Sequence, residues 1–467
     1  MRRIVVISDL HIGGKPKPML GHPNLLVNFL DQLSHYEPPT GETVELVING
    51  DFVDFLAIEP HSAWTPDEAE CVAKLKQAFE QFSPIFDAIS RCLSKVCRFA
   101  LLLGNHDIES ALPRVRRELV ARLGTNPHQC LFYSDNQAYR FGDLLVEHGN
   151  RYDSWNAIDY AGLRKVLSQA SRLEPLAELT VCPGSEMVER LISPLKEDYP
   201  FVELLKPETK IVPLLLAALE PSLKSDVKRL YRVFSLWSDQ WLRTRSWIPK
   251  IGFGGEELIA APSLSAGLPG DVRSAFADEL SGSANEEQLV SVGGRLKSIW
   301  KKVRPDGIAA IVHSHEKIPD SQIGRIQLAL AKALEKDRTF DDDGPDGPYL
   351  DAARRLCHAS VEGVAPPKIA VMGHTHLVRQ VNLGDGSWYL NTGTWVDLIK
   401  VPKESLEQTS DGYAELDQWL QQIVLDSDSL RFADPAYADV CLDESGNLCQ
   451  PGSRPLLRRF NEGPFAT

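Results

Sequence analysis

The chain has 467 residues, 43% of them hydrophobic and 24% charged, which fits a soluble globular protein with core enough for two or three domains. Its formal net charge is −14. An acidic chain gains little from unspecific attraction to nucleic acid or anionic lipid, so the bulk numbers give no signal for either partner.

The N-terminal "MRRIVVISDLH" holds only four consecutive apolar residues, too few for a signal-peptide core. It reads instead as a buried strand over 2–8, rich in β-branched residues. A helix is expected over 24–33 and a second strand over 43–50. A helix over 65–82 follows, with Thr65 as N-cap, Pro66 in its first turn and Glu68 closing a capping box. Strand 97–105 and a helix ending at Gly124 complete an alternating pattern that predicts a layered α/β domain. Three short runs at 130–134, 137–142 and 144–150 predict consecutive paired strands.

Residues 151–366 differ in texture and read as a mainly helical insertion. The most apolar stretch there, 211–219, contains a proline and is far shorter than a membrane span. Strand character returns at 367–376, 379–384 and 387–395, followed by a helix over 412–424 and a hairpin turning at 444–447. The domain expectation is therefore a discontinuous unit, 1–150 with 367–467, carrying the insertion. The eight cysteines are scattered and form no CxxC pair, which predicts reduced thiols and a cytoplasmic protein.

Polar residues recur just past the expected strands. They are Asp9 and His11 in "SDLH", Asp51 and Asp54 in "GDFVD", Asn105, His106 and Asp107 in "GNHD", His148 in "EHG", and His374 and His376 in "GHTH". Ligands of layered α/β folds collect at the carboxyl ends of strands. Carboxylates mixed with imidazoles suit first-row divalent metals: manganese first, iron or zinc as alternatives. Glycines before Asp51, Asn105 and His374 fit tight turns with close backbone approach.

In this order, the blocks D-x-H, G-D-x-x-D, G-N-H-D, H-G and G-H-x-H resemble the calcineurin-like metallophosphoesterases. The resemblance covers residues 1–150 and about 367–398. It implies a four-layer β-sandwich flanked by helices and a site for two divalent ions. Asp9, His11 and His376 would hold one ion, Asn105, His148 and His374 the other, and Asp51 would bridge them. Such a pair clamps a phosphate ester and lowers the pKa of a water so that hydroxide attacks phosphorus in line. His106 would stabilise phosphoryl charge or protonate the leaving oxygen. Asp54 and Asp107 would orient His106 or neighbouring ligands; many relatives carry Glu where this chain has Asp107.

The implied activity is hydrolysis of phosphoester bonds, a phosphodiesterase or pyrophosphohydrolase before a phosphomonoesterase, protein phosphatase or nuclease. A scaffold without catalysis is the reading from a different class, and the presence of His106 with all seven ligand positions argues against it. The insertion falls between two ligand blocks, so it is expected to cap the site and select substrate. Arg151, Asn150 and His22 are the candidates for contacting that substrate. "IAAIVHSHEK" (308–317) offers a second H-x-H pair, His313 and His315, but without the glycine, and reads as an ordinary helix or surface feature. In 228–247 the apolar Leu230, Phe234, Trp237 and Trp241 fall at helical spacing, the mark of a buried stripe.

Overall fold

In the computed structural model, residues 1–15, 17–124, 130–153, 155–219, 308–359, 363–449 and 456–461 are described. Strands β1 (Arg2–Ile7), β2 (Thr43–Asn49), β3 (Arg98–Leu102) and β4 (Cys130–Tyr133) run parallel, side by side. The helices between the first of them are α1 (Pro23–His35), α2 (Glu68–Gln81), α3 (Ser83–Leu93) and α4 (Pro113–Leu123). The second sheet has the order β5-β6-β7-β9-β8, with β5 (Tyr139–Phe141), β6 (Leu144–Val146), β7 (Ile369–Met372), β8 (Val378–Gly384) and β9 (Ser387–Thr392). Near the C-terminus, β10 (Ala436–Leu442) and β11 (Leu457–Arg459) return to the first sheet and extend it beyond β1.

Alternation along each strand builds three apolar layers. Val5, Ile7, Leu46 and Ile48 face outward onto Leu26, Phe29, Leu75, Ile85 and Leu119 of α1–α4. Ile4, Val6, Val47 and Leu102 face inward onto Leu144, Val146, Val371 and Leu390 of the second sheet. Ala370, Met372 and Tyr389 face out of that sheet onto Ala352, Ala353 and Cys357 of the helix Gly347–His358. The result is a helix–sheet–sheet–helix sandwich, the expected architecture. Each fully buried Leu, Ile or Phe contributes about 1.5–3 kcal/mol to holding the layers together. A buried bidentate pair between Arg3 and Asp439, with both hydrogen bonds at 2.8 Å, ties β1 to β10.

The differences from expectation are local. β4 does not pair with β5. It adds in parallel to the open edge of β3, and the chain then crosses to the second sheet. Short spacing says that strands follow one another, not which edge receives each. The expected capping box is also shifted. Helix α2 begins at Glu68, and its N-cap is Asp67, whose carboxylate accepts from the amides of Ala69 (2.8 Å) and Glu70 (3.3 Å). Thr65 accepts from the Asp67 amide one turn earlier. A carboxylate is as good a cap as a hydroxyl and is further favoured by the positive helix end.

Within the insertion, the helix Gly347–His358 belongs to the sandwich as its outer layer. The helices Ile308–His313 and Asp320–Leu334 pack on the C-terminal helix Ser410–Leu425 and on Glu208–Leu219, joining Leu215, Leu216, Ile326, Leu330, Leu416 and Leu420 in one cluster. The C-terminal region therefore does two things: it completes the first sheet and braces the insertion. The aromatic stripe at 228–247 and the helical stretch at 286–303 lie outside the described residues. No helix among the described residues is long and apolar enough to cross a membrane, and all eight cysteines are free.

Candidate metal centre

The carboxyl ends of β1, β2, β3, β6 and β7 open on one edge of the sandwich, and the loops that leave them carry the residues singled out in sequence. Their backbone is unusual. Asp9 (φ 54°), His11 (φ 41°), Asp51 (φ 50°), His374 (φ 70°) and His376 (φ 61°) all adopt the left-handed region. Non-glycine residues there cost roughly 1–3 kcal/mol each, and such strain gathers at functional sites. The glycines among them keep space. A Cβ on Gly104 would overlap the Asp51 carboxylate, and one on Gly373 would overlap Asp9.

Two clusters result. In the first, a ligand atom from each of Asp9, His11 and His376 lies within 4.8 Å of the others. His11 Nδ1 faces Asp54 at 3.1 Å, so Nε2 is the nitrogen turned inward, 3.0 Å from His376 Nε2. In the second, Asp51, His148 and His374 meet the same distance criterion. His148 donates Nδ1–H to the Asn49 carbonyl at 2.8 Å, which directs Nε2 inward. Asp51 joins the clusters. Its Oδ1 accepts from the His106 amide at 2.8 Å, leaving Oδ2 3.2 Å from His148 Nε2 and 3.6 Å from His11 Nε2. Asn105 gives its NH2 to Asn156 at 3.4 Å, which leaves its carbonyl oxygen for the centre.

The donor set fits divalent cations. Among the described residues here, Asn105 Oδ1 is buried with no hydrogen-bond partner, and His148 Nε2 has only the Asp51 carboxylate nearby, an expensive state for a neutral site. Burial pushes the Asp9 carboxyl up, and Asp51 adds to that. Burial lowers His148, but Asp51 more than reverses this, to about 9; the proton so held is the one a metal ion would replace. His376 is held well below its ordinary value by burial and then by Lys206, so it already presents a neutral imidazole.

A third cluster, His11, Asp54 and His106, has another character. Both Asp54 oxygens are taken, Oδ2 by His11 and Oδ1 by His106 Nδ1 at 3.0 Å. Burial alone would raise this carboxyl; His106 and His11 instead hold it well below the usual carboxylate range. In return Asp54, followed by Asp51, overcomes burial and pushes His106 up to about 10. His106 Nε2 is the nitrogen left for a substrate. Asp107 does not touch His106. Its two oxygens accept from the amides of Phe52 (2.8 Å) and Gly104 (2.7 Å), pinning together the loops that carry Asp51 and Asn105. Burial pushes its carboxyl up to about 7, while those two amides pull the other way.

His106 and the centre form the floor of a cavity of about 360 Å³. Its far walls come from the insertion: Trp155, Met187, Val188, Ile192, Lys206 and Tyr349 among others. Three sequence candidates lie elsewhere. Arg151 faces Glu147 at 3.6 Å, Asn150 donates to the Asn156 carbonyl, and His22 meets Asp397 at 2.6 Å; none of the three lines the cavity. The turn at Gly149 (φ 105°) leads into a single 3₁₀ turn over Asn150–Tyr152 and carries Arg151 away. His313 and His315 are exposed and also outside it.

Other residues had no place in the sequence reading. Asp153, 3.1 Å from His374 Nε2, orients that ring and leaves its Nδ1 for the second cluster. The neighbouring "RYDSWN" run was the available signal for it. Lys206, Glu203 and Glu208 carried none, because nothing local ties them to blocks more than fifty residues away.

Comparison with known proteins agrees with the geometry. Residues 2–190 match the model of the calcineurin-like phosphoesterase family. No curated protein matches the chain. The match contains the blocks from Asp9 to His148, and the fold adds His374 and His376 from β7.

Proposed function

We propose that this chain, a member of the calcineurin-like phosphoesterase family, is a two-metal hydrolase of phosphodiesters or pyrophosphates. The observation that carries the reading is the convergence of Asp9, His11, Asp51, Asn105, His148, His374 and His376 beside the His106–Asp54 pair, at the floor of one walled cavity. Asp9, His11 and His376 would hold one ion, Asn105, His148 and His374 the other, with Asp51 between them. When bound, two such ions polarise a phosphate ester and supply hydroxide near neutral pH; manganese is the ion to try first, with iron and zinc as alternatives.

The chain's own residues do the rest. Asp54 holds His106 by Nδ1 and turns its Nε2 to the cavity, where it can pass a proton to the leaving oxygen. Asp153 and the Asn49 carbonyl fix the rings of His374 and His148 before substrate arrives. The segments 184–208 and 348–349 wall the cavity, which supports reading the insertion as a cap that shields the reaction and selects substrate.

The wall favours diesters. Met187, Val188, Ile192 and Tyr349 offer an apolar surface for a second ester group, which a monoester lacks. With Mn²⁺ present, bis-p-nitrophenyl phosphate should turn over at least about tenfold faster in kcat/KM than p-nitrophenyl phosphate, one such apolar group being worth about 1–3 kcal/mol. Monoester preference would redirect the reading to a phosphatase. Two ions bound with neither substrate cleaved would favour a scaffold.

A further inference from the structure

Lys206 stands apart among the side chains that line the cavity. It comes from the insertion, yet its backbone is stitched to the sandwich. The Lys206 amide donates to the Ile399 carbonyl at 3.1 Å, the Ile399 amide donates to Leu204 at 2.8 Å, and Leu205 and Ile399 form a parallel bridge. Residue 399 follows Trp395, whose amide donates to the Asp9 carbonyl. A lysine far from the ligand blocks in sequence is thus held rigidly against the loop behind the metal centre. Its side chain is 11% exposed and shares the cavity with His106 and His376. Among the described lining residues it is the one lysine or arginine.

Its present partner is weak. The ammonium lies 3.4 Å from Glu208 Oε2, a long contact for an ion pair. Burial pushes the Glu208 carboxyl up, Lys206 pulls it back, and Glu203 pushes it up again. Glu203 has its own partner in Lys196. A buried ammonium held loosely beside a phosphoryl site is placed to exchange its internal carboxylate for an external anion.

We propose that Lys206 is a substrate-binding residue, whose ammonium leaves Glu208 to donate to a non-bridging oxygen of the substrate's phosphate group. This rests on the phosphoesterase reading above. It makes the insertion a contributor of charge to the site as well as a wall.

The competing role, a structural ion pair bracing the cap, predicts the opposite pattern of effects. If the pair only braces, removing either partner harms the protein in the same direction. If Lys206 serves substrate, the two changes act with opposite sign, because Glu208 competes with the phosphate. The test is calorimetric binding of inorganic phosphate to the Mn²⁺-loaded full chain, with diester turnover measured in parallel. Lys206→Met should weaken phosphate about tenfold or more and raise KM more than it lowers kcat, at unchanged metal content. Lys206→Arg should recover part of the affinity. Glu208→Gln should bind phosphate as tightly as the parent or several-fold tighter.

Unchanged phosphate affinity in Lys206→Met overturns the proposal, and so does weakening by the same factor in Glu208→Gln. The underlying reading fails separately. A parent protein that binds phosphate through Lys206 but cleaves neither p-nitrophenyl ester supports the residue and sinks the hydrolase. One that binds no phosphate overturns the Lys206 assignment alone, and ester turnover decides the hydrolase.

Discussion

Asp51→Asn lowers diester turnover by about a hundred- to a thousandfold and leaves the protein with fewer than two ions per chain. The substitution keeps shape and volume. The acceptor that holds the His106 amide at 2.8 Å can remain, so the loop after β3 keeps its place. What goes is the charge at Oδ2, between His148 Nε2 and His11 Nε2. An amide there has one weak oxygen or an NH2 to offer, and neither can serve two cations. Because Asp51 is the residue that links the clusters, its loss is felt in both. The checks are metal content by elemental analysis and kcat on bis-p-nitrophenyl phosphate. A variant that kept two ions and full turnover would remove Asp51 from the centre.

His106→Ala gives the second large effect, of a different kind. Metal content stays at the parent value, since His106 spends Nδ1 on Asp54 and belongs to neither ligand cluster. Turnover falls about 10²–10⁴-fold on an ester with an alkoxide leaving group, which needs a proton. The loss is smaller for p-nitrophenolate, which leaves well without one. The difference between leaving groups separates the two roles expected for this histidine. Equal losses on both esters would place its charge on the phosphoryl oxygens instead.

These expectations follow from features legible in the chain before any fold was known, and the reason is physical. Metal ligands sit on the last residues of strands and in the turns behind them, so a short apolar run followed by Asp, His or Asn marks both the strand and the group it presents. The candidate ligands Asp9, Asp51, Asn105, His148 and His374 are all of this type. The helix–sheet–sheet–helix layering was legible through the same strands and the resemblance of their blocks. Partnership was not. Nothing in "CLFYS" says that β4 joins β3 while β5 crosses to the other sheet. Arg151 follows the candidate ligand His148 by three residues and still faces Glu147, because a left-handed glycine redirects the chain. Lys206 and Glu208 reach the cavity only because residues 204–206 are bridged to Ile399, a pairing with no local signature.

On the proposed reading, this chain hydrolyses phosphodiesters through metal ions held by these side chains. The measurement that tests it most directly is a titration. The protein is stripped with EDTA, Mn²⁺ is returned in known amounts, and turnover of bis-p-nitrophenyl phosphate is followed at each step. No turnover is expected in the stripped protein, with full recovery as the second equivalent binds. Turnover that persists without metal, or that is absent with two ions bound, would contradict it.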